Sequence, residues 1–126
     1  MKYSKLELNG IIYPLIFNGN AKFELEELYD GEFIEKMNPM NKDGFSVLAH
    51  AVAIMSQQAE LCRKYEGYDC GKVLSSEEIE LLTLPNAIPS IYTAAVGCVL
   101  NGMGISSEGE DDCVDLGLEE LNKKKE

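Results

Sequence analysis

Leu6-Glu7-Leu8-Asn9-Gly10-Ile11-Ile12-Tyr13-Pro14-Leu15-Ile16-Phe17 is the stretch that decides the fold. Asn-Gly at its centre suits a two-residue type I′ turn, because both central positions of that turn need positive φ. The turn sets the register: Leu8 falls opposite Ile11, and Leu6 opposite Tyr13. With a side-chain period of two, Leu6, Leu8, Ile11, Tyr13, Leu15 and Phe17 share one face. Pro14 falls on the other face and has no N–H to give a ladder, so its side of the strand is expected to be an edge. An isolated hairpin is marginal in water, so the apolar face requires helices to cover it.

Those helices can be read downstream. Asn18-Gly19-Asn20 ends the hairpin, and Asn20 suits the N-cap of a helix over Ala21 to Tyr29, stopped by Asp30-Gly31. A short helix is expected from Glu32 to Met37, ended by Asn38-Pro39. The longest helix runs from Asp43 or Gly44 to Tyr65. One of its apolar rows is Phe45, Leu48, Ala49, Val52, Met55, Ala59 and Cys62; a second is Val47, Ala51, Ile54, Leu61 and Tyr65. Its polar strip reads Ser46, His50, Gln57, Glu60 and Lys64, so more than half the circumference is apolar and the helix belongs at the centre of its domain. Ser75-Ser76-Glu77-Glu78 matches a capping box with Ser75 as N-cap, and Leu74 and Ile79 fit the staple that accompanies it. That helix is expected to stop before Pro85. Pro89 then opens a last helix, from Ser90 to about Gly102, with almost no polar face.

The fold expected is therefore α+β and mostly α. A hairpin over about residues 5–17 packs on a bundle of four to five helices, with residues 1–104 forming one domain. Glu108 to Glu120 holds seven acidic residues and no basic one, so residues 105–126 read as a flexible acidic tail. Val114, Leu116, Leu118 and Leu121 interrupt it and could fold against a partner.

Charge and composition exclude several functions. The formal net charge of −11 argues against nucleic acid and anionic membrane, both of which reward clustered Lys and Arg. No apolar run approaches the roughly 20 residues of a membrane helix, and Met1-Lys2-Tyr3-Ser4-Lys5 is followed by no signal-peptide h-region, so an intracellular chain is expected. In that setting Cys62, Cys70, Cys98 and Cys113 are expected to be thiols rather than disulfides.

No catalytic or metal constellation is apparent, so a non-enzymatic chain without cofactors is expected. On a helix, a partner for His50 would lie three or four residues away, where Ser46, Val47, Ala53 and Ile54 stand. Cys62, twelve residues on, is about 120° around the helix. There is no C-x-x-C, no dinucleotide-binding glycine pattern and no P-loop. Asp111, Asp112 and Asp115 lack the spacing of a calcium loop and read as solvated charge.

Three stretches together resemble a known family. They are the hairpin Leu6-Glu7-Leu8-Asn9-Gly10 with Phe23-Glu24-Leu25-Glu26-Glu27-Leu28; Leu74-Ser75-Ser76-Glu77-Glu78-Ile79 before an apolar helix ending in glycine; and Asp115-Leu116-Gly117-Leu118-Glu119-Glu120-Leu121-Asn122-Lys123-Lys124. In combination, and over nearly the whole chain, they resemble the small tail assembly chaperone of long-tailed (siphovirus-like) bacteriophages and prophages. The resemblance implies a protein that binds the tape measure protein, keeps it soluble and helps recruit tail tube subunits. It also implies action in the cytoplasm of the bacterial host and absence from the mature virion. A chaperone of this kind needs apolar surface for its client and charge to hold the complex in solution. Ile91, Tyr92, Ala95, Leu100 and Met103 are accordingly expected to border the partner surface. Ala94, Ala95 and Gly97 would allow self-association through the same helix. Two alternatives stand beside this reading: an acidic regulatory adaptor or antitoxin-like protein masking a basic partner, and an enzyme whose site assembles Cys70, His50 and an acid.

Overall fold

Asn9 and Gly10 carry φ values of 54° and 81°, the positive pair that a type I′ turn requires. They join β1 (Ser4–Leu8) to β2 (Ile11–Leu15). The computed structural model describes residues 3–69 and 71–105. The strands are antiparallel, with Leu8 opposite Ile11 and Leu6 opposite Tyr13, as the turn predicts. Leu6, Leu8, Tyr13, Leu15 and Phe17 are buried on the shared face. Ile11, beside the turn, departs from the expected set and is exposed, while Leu8 opposite it is buried. Among the described residues the sheet has two strands, so each keeps one outer edge.

Helix α1 (Gly19–Tyr29) begins earlier than the sequence suggests. Its N-cap is Asn18 rather than Asn20: Asn18 is extended and its Oδ1 accepts the Ala21 N–H at 2.9 Å. Asn20 already lies within the helix, and its Nδ2 donates to Gln58 Oε1 at 3.4 Å. The chain leaves α1 where Asp30 takes a φ of 63°. A 3-10 turn over Asp30–Glu32 leads into the single turn α2 (Phe33–Lys36).

Helix α3 (Gly44–Tyr65) has the expected bounds and touches β2, α1, α2, α4 and α5. Leu48, Ala49, Ala51, Val52, Met55 and Ala59 are fully enclosed, so its middle forms the axis of the core. The small residues let neighbouring elements approach closely. At 3.3 Å the Ile16 N–H also donates to the Met55 carbonyl, tying the end of the hairpin to this axis. The last turn of α3 runs beyond its cover, which leaves Leu61 and Tyr65 of the second apolar row exposed. Glu60 departs from the expected polar strip and is buried. Its carboxylate accepts the Gly71 N–H at 2.6 Å and faces Arg63 Nη1 at 3.0 Å, so it pins the loop after α3. Arg63 in turn lies over the Tyr68 ring, 5.4 Å from its centroid.

Helix α4 (Ser76–Leu82) starts with the full capping box. Ser75 Oγ accepts the Glu78 N–H, and Glu78 Oε1 accepts the Ser75 N–H, both at 3.1 Å. Leu74 and Ile79 are both buried, as the staple requires. The Leu74 N–H also donates to the buried Ser56 Oγ at 3.0 Å and so anchors the start of α4 on α3. A 3-10 turn over Pro85–Ala87 precedes α5 (Ile88–Gly102), which opens one residue before Pro89. The α4 axis and the segment from Pro85 to Gly102 diverge by 115°. No single helix among the described residues is long and apolar enough to cross a membrane. The architecture is a hairpin packed on a mostly helical bundle, as expected; the acidic tail expected over 105–126 lies outside the described residues from 106 onward.

Candidate functional site

The α4–α5 bend is built from one buried anchor and three exposed leucines. Ile79 is fully enclosed and holds α4 against α3. At about 100° per residue, Leu81 falls some 200° from Ile79, on the opposite side of the helix. Leu81, Leu82 and Leu84 are 83 %, 42 % and 68 % exposed. The Thr83 N–H still donates to the Ile79 carbonyl at 3.1 Å, and the Ala87 N–H to the Leu84 carbonyl at 2.8 Å, so the backbone of the bend is held. Thr83 itself points inward, and its buried Oγ1 has no hydrogen-bond partner among the described residues.

Among the described residues this knuckle is incompletely covered. Fully burying a leucine is worth about 1.5–3 kcal/mol, so the largely exposed Leu81 and Leu84 and the partly exposed Leu82 forgo several kcal/mol that a covering surface would recover. Scattered exposed apolar residues need no explanation, but three within four residues on a constrained bend form a patch. Glu77 and Glu80 on α4 give that patch an acidic rim. Burial raises the pKa of Tyr29 at the end of α1, and the Glu80 carboxylate adds to the effect.

The five residues expected to border a partner surface divide. Ile91 and Ala95 are enclosed in the core, since with Cys98 and Val99 they form the inward stripe of α5. Tyr92 and Leu100 are half-buried. Met103 is 41 % exposed at the end of the helix, close in sequence to the exposed Ile105. The knuckle leucines are absent from the sequence-based expectation, although a signal for them exists. Leu81-Leu82-Thr83-Leu84 follows Ile79 too closely for all its leucines to share the inward phase.

Other candidate chemistry is dispersed. His50 is exposed, and its Nδ1 lies 2.9 Å from the Ser46 carbonyl of its own helix. Cys62 is half-buried and receives Asn18 Nδ2 at 3.6 Å, in a polar junction where Asn18 also donates to Gln58. Cys98 is a buried free thiol; burial pushes its pKa up to about 11, against hydrogen bonds involving Ser4 and the Phe17 backbone that lower it. No group of three or more His, Cys, Asp and Glu side chains suited to a metal ion occurs among the described residues. Cys70, Cys113 and the carboxylates Asp111, Asp112 and Asp115 lie outside the described residues.

Comparison with known protein families, curated proteins and solved structures returns no match for this chain.

Proposed function

We propose that this protein is a non-enzymatic assembly chaperone of the phage-tail kind, which covers apolar helical segments of the tape measure protein and helps recruit tail tube subunits around it. The observation that carries this reading is the leucine knuckle, the exposed Leu81, Leu82 and Leu84 at the α4–α5 bend with Glu77 and Glu80 nearby in sequence. A long apolar-helical client offers the complementary surface: apolar ridges to cover the leucines, and basic positions to meet Glu77 and Glu80. The net charge of −11 would then keep the pair dispersed. Half-buried Tyr92 and Leu100 on α5, with Met103 just past its end, would supply a second apolar strip. In this role the protein acts in the cytoplasm of the bacterial host and leaves before the tail is complete.

The test is co-purification of the full chain with tape measure segments, using Leu81→Asp and Leu84→Asp. Both side chains are exposed, so the fold is expected to persist while client binding falls at least tenfold. Binding that survives both substitutions and instead collapses with added salt would favour the acidic adaptor.

A further inference from the structure

The outer edge of β1 differs from that of β2, and the difference follows from the hairpin register. A two-residue turn makes its flanking residues, Leu8 and Ile11, a hydrogen-bonded pair, and such pairs alternate along an antiparallel ladder. Leu6–Tyr13 and Ser4–Leu15 are therefore bonded pairs; Glu7–Ile12 and Lys5–Pro14 are not. The backbone N–H and C=O groups of Lys5 and Glu7 consequently point away from β2. No hydrogen bond among the described residues engages them, and both residues are exposed. On β2 the corresponding edge is blunted: Pro14 has no N–H, and Ile16 beyond it donates to Met55. An open strand edge is a template for pairing with another chain.

The side chains of β1 select the partner. We propose that two copies of this chain pair antiparallel through their β1 edges about a two-fold axis at Leu6, forming a continuous four-stranded sheet. In that register Lys5 lies opposite Glu7 of the second copy, and Glu7 opposite its Lys5. The outward N–H and C=O groups are in phase to exchange four hydrogen bonds. Sliding by two residues keeps the phase but sets Lys5 against Lys5 or Glu7 against Glu7, so charge favours one register. Sliding by one sets Lys5 against Leu6, whose N–H and C=O are already committed to Tyr13, so the outward groups lose their partners. Each copy keeps its buried face on the same side of the joined sheet, with α5 lying beneath β1, where Ser4 meets Cys98.

Sedimentation velocity of the full chain tests this. A monomer weighs 13.9 kDa, and a concentration-dependent species of twice that mass is expected. Glu7→Pro removes one outward N–H, as Pro14 does on β2, and is expected to yield monomer with unchanged circular dichroism. Lys5→Glu and Glu7→Lys each set like charges together and are expected to weaken the dimer about tenfold. Mixing these two variants pairs opposite charges at every position and is expected to restore the dimer as a heterodimer. A monomeric mass at all concentrations overturns the proposal. So does a dimer indifferent to Glu7→Pro, or a mixture no more associated than its components; should Glu7→Pro fail to fold, the charge variants decide. The test contains no client, so its failure leaves the chaperone reading standing.

Discussion

Two glycines of α5 should respond to the same substitution with opposite signs. Gly102 closes the helix against the hairpin. A Cβ there would lie 2.2 Å from the Phe17 carbonyl oxygen, 2.8 Å from its Cβ and 2.9 Å from its Cδ2. The first of these atoms is backbone, so relief requires the segment after β2 or the end of α5 to move. Phe17 is also buried and packs on Phe33 with ring centroids 5.7 Å apart, so its displacement disturbs the core. Overpacking of this kind costs about 1–3 kcal/mol. Replacing glycine by alanine inside a helix returns about 1 kcal/mol, and less at a last residue. Gly102→Ala should therefore lose about 1–2 kcal/mol, or about 4–8 °C in Tm for a domain of this size. Around Gly97 no atom of the described residues, beyond its own neighbours and the backbone of its own helix, lies within 4 Å of the added Cβ. Gly97→Ala should keep the helical gain of about 0.5–1 kcal/mol and raise Tm by about 2–4 °C. Urea unfolding and thermal circular dichroism, with all variants at one protein concentration, measure both. The packing argument is refuted if Gly102→Ala matches or exceeds the parent, or if the two variants shift in the same direction.

Further predictions concern the capping box, the loop and the thiols. Ser75→Ala should destabilise the domain by about 1 kcal/mol through loss of the N-cap, read as a lower urea midpoint. The Glu78 pKa is lowered, first by its bond from the Ser75 backbone N–H and then by Lys72. Its contribution is thus present above the ordinary glutamate value and is lost as pH falls below it. The urea midpoint of the parent should drop more steeply below about pH 4.5 than that of Glu78→Gln. Glu60→Ala strips Gly71 and Arg63 of their shared acceptor and should cost about 1–3 kcal/mol, with faster proteolysis in the loop after α3. Iodoacetamide at pH 8 should modify half-buried Cys62 well before Cys98, whose thiol is enclosed and pushed up to about 11; mass mapping of the peptides gives the order.

Local chemistry made much of this fold legible in advance. Asn9-Gly10 admits one turn type, and that turn dictates the register. Ser75 and Glu78 satisfy each other within one turn of helix, so their box needs no tertiary information. The departures arise where distant contacts decide. Asn20 adjoins the helical run and reads as the cap, but the Asn18 Oδ1 takes the Ala21 N–H and Asn20 lies inside α1. Glu60 has the phase of a solvated strip, and only the return of the chain at Gly71, eleven residues later, encloses it. The α5 sequence is apolar all round, so periodicity cannot divide its inward stripe from its flanks. Ile91 and Ala95 could be placed only once α5 was seated against α3 and β1. Leu81 and Leu82 end a helix too short for its apolar phase to be averaged, and Leu84 lies in the bend after it.

The central claim, that the exposed leucines of the α4–α5 bend hold an apolar helical client in solution, is tested most directly by co-expression. The soluble fraction of a tape measure segment is measured with the parent chain, with the Leu81→Asp/Leu84→Asp double variant, and alone. The account predicts a soluble complex with the parent and aggregation with the double variant, which itself remains folded by circular dichroism. A client kept equally soluble by both, or by neither, would contradict it.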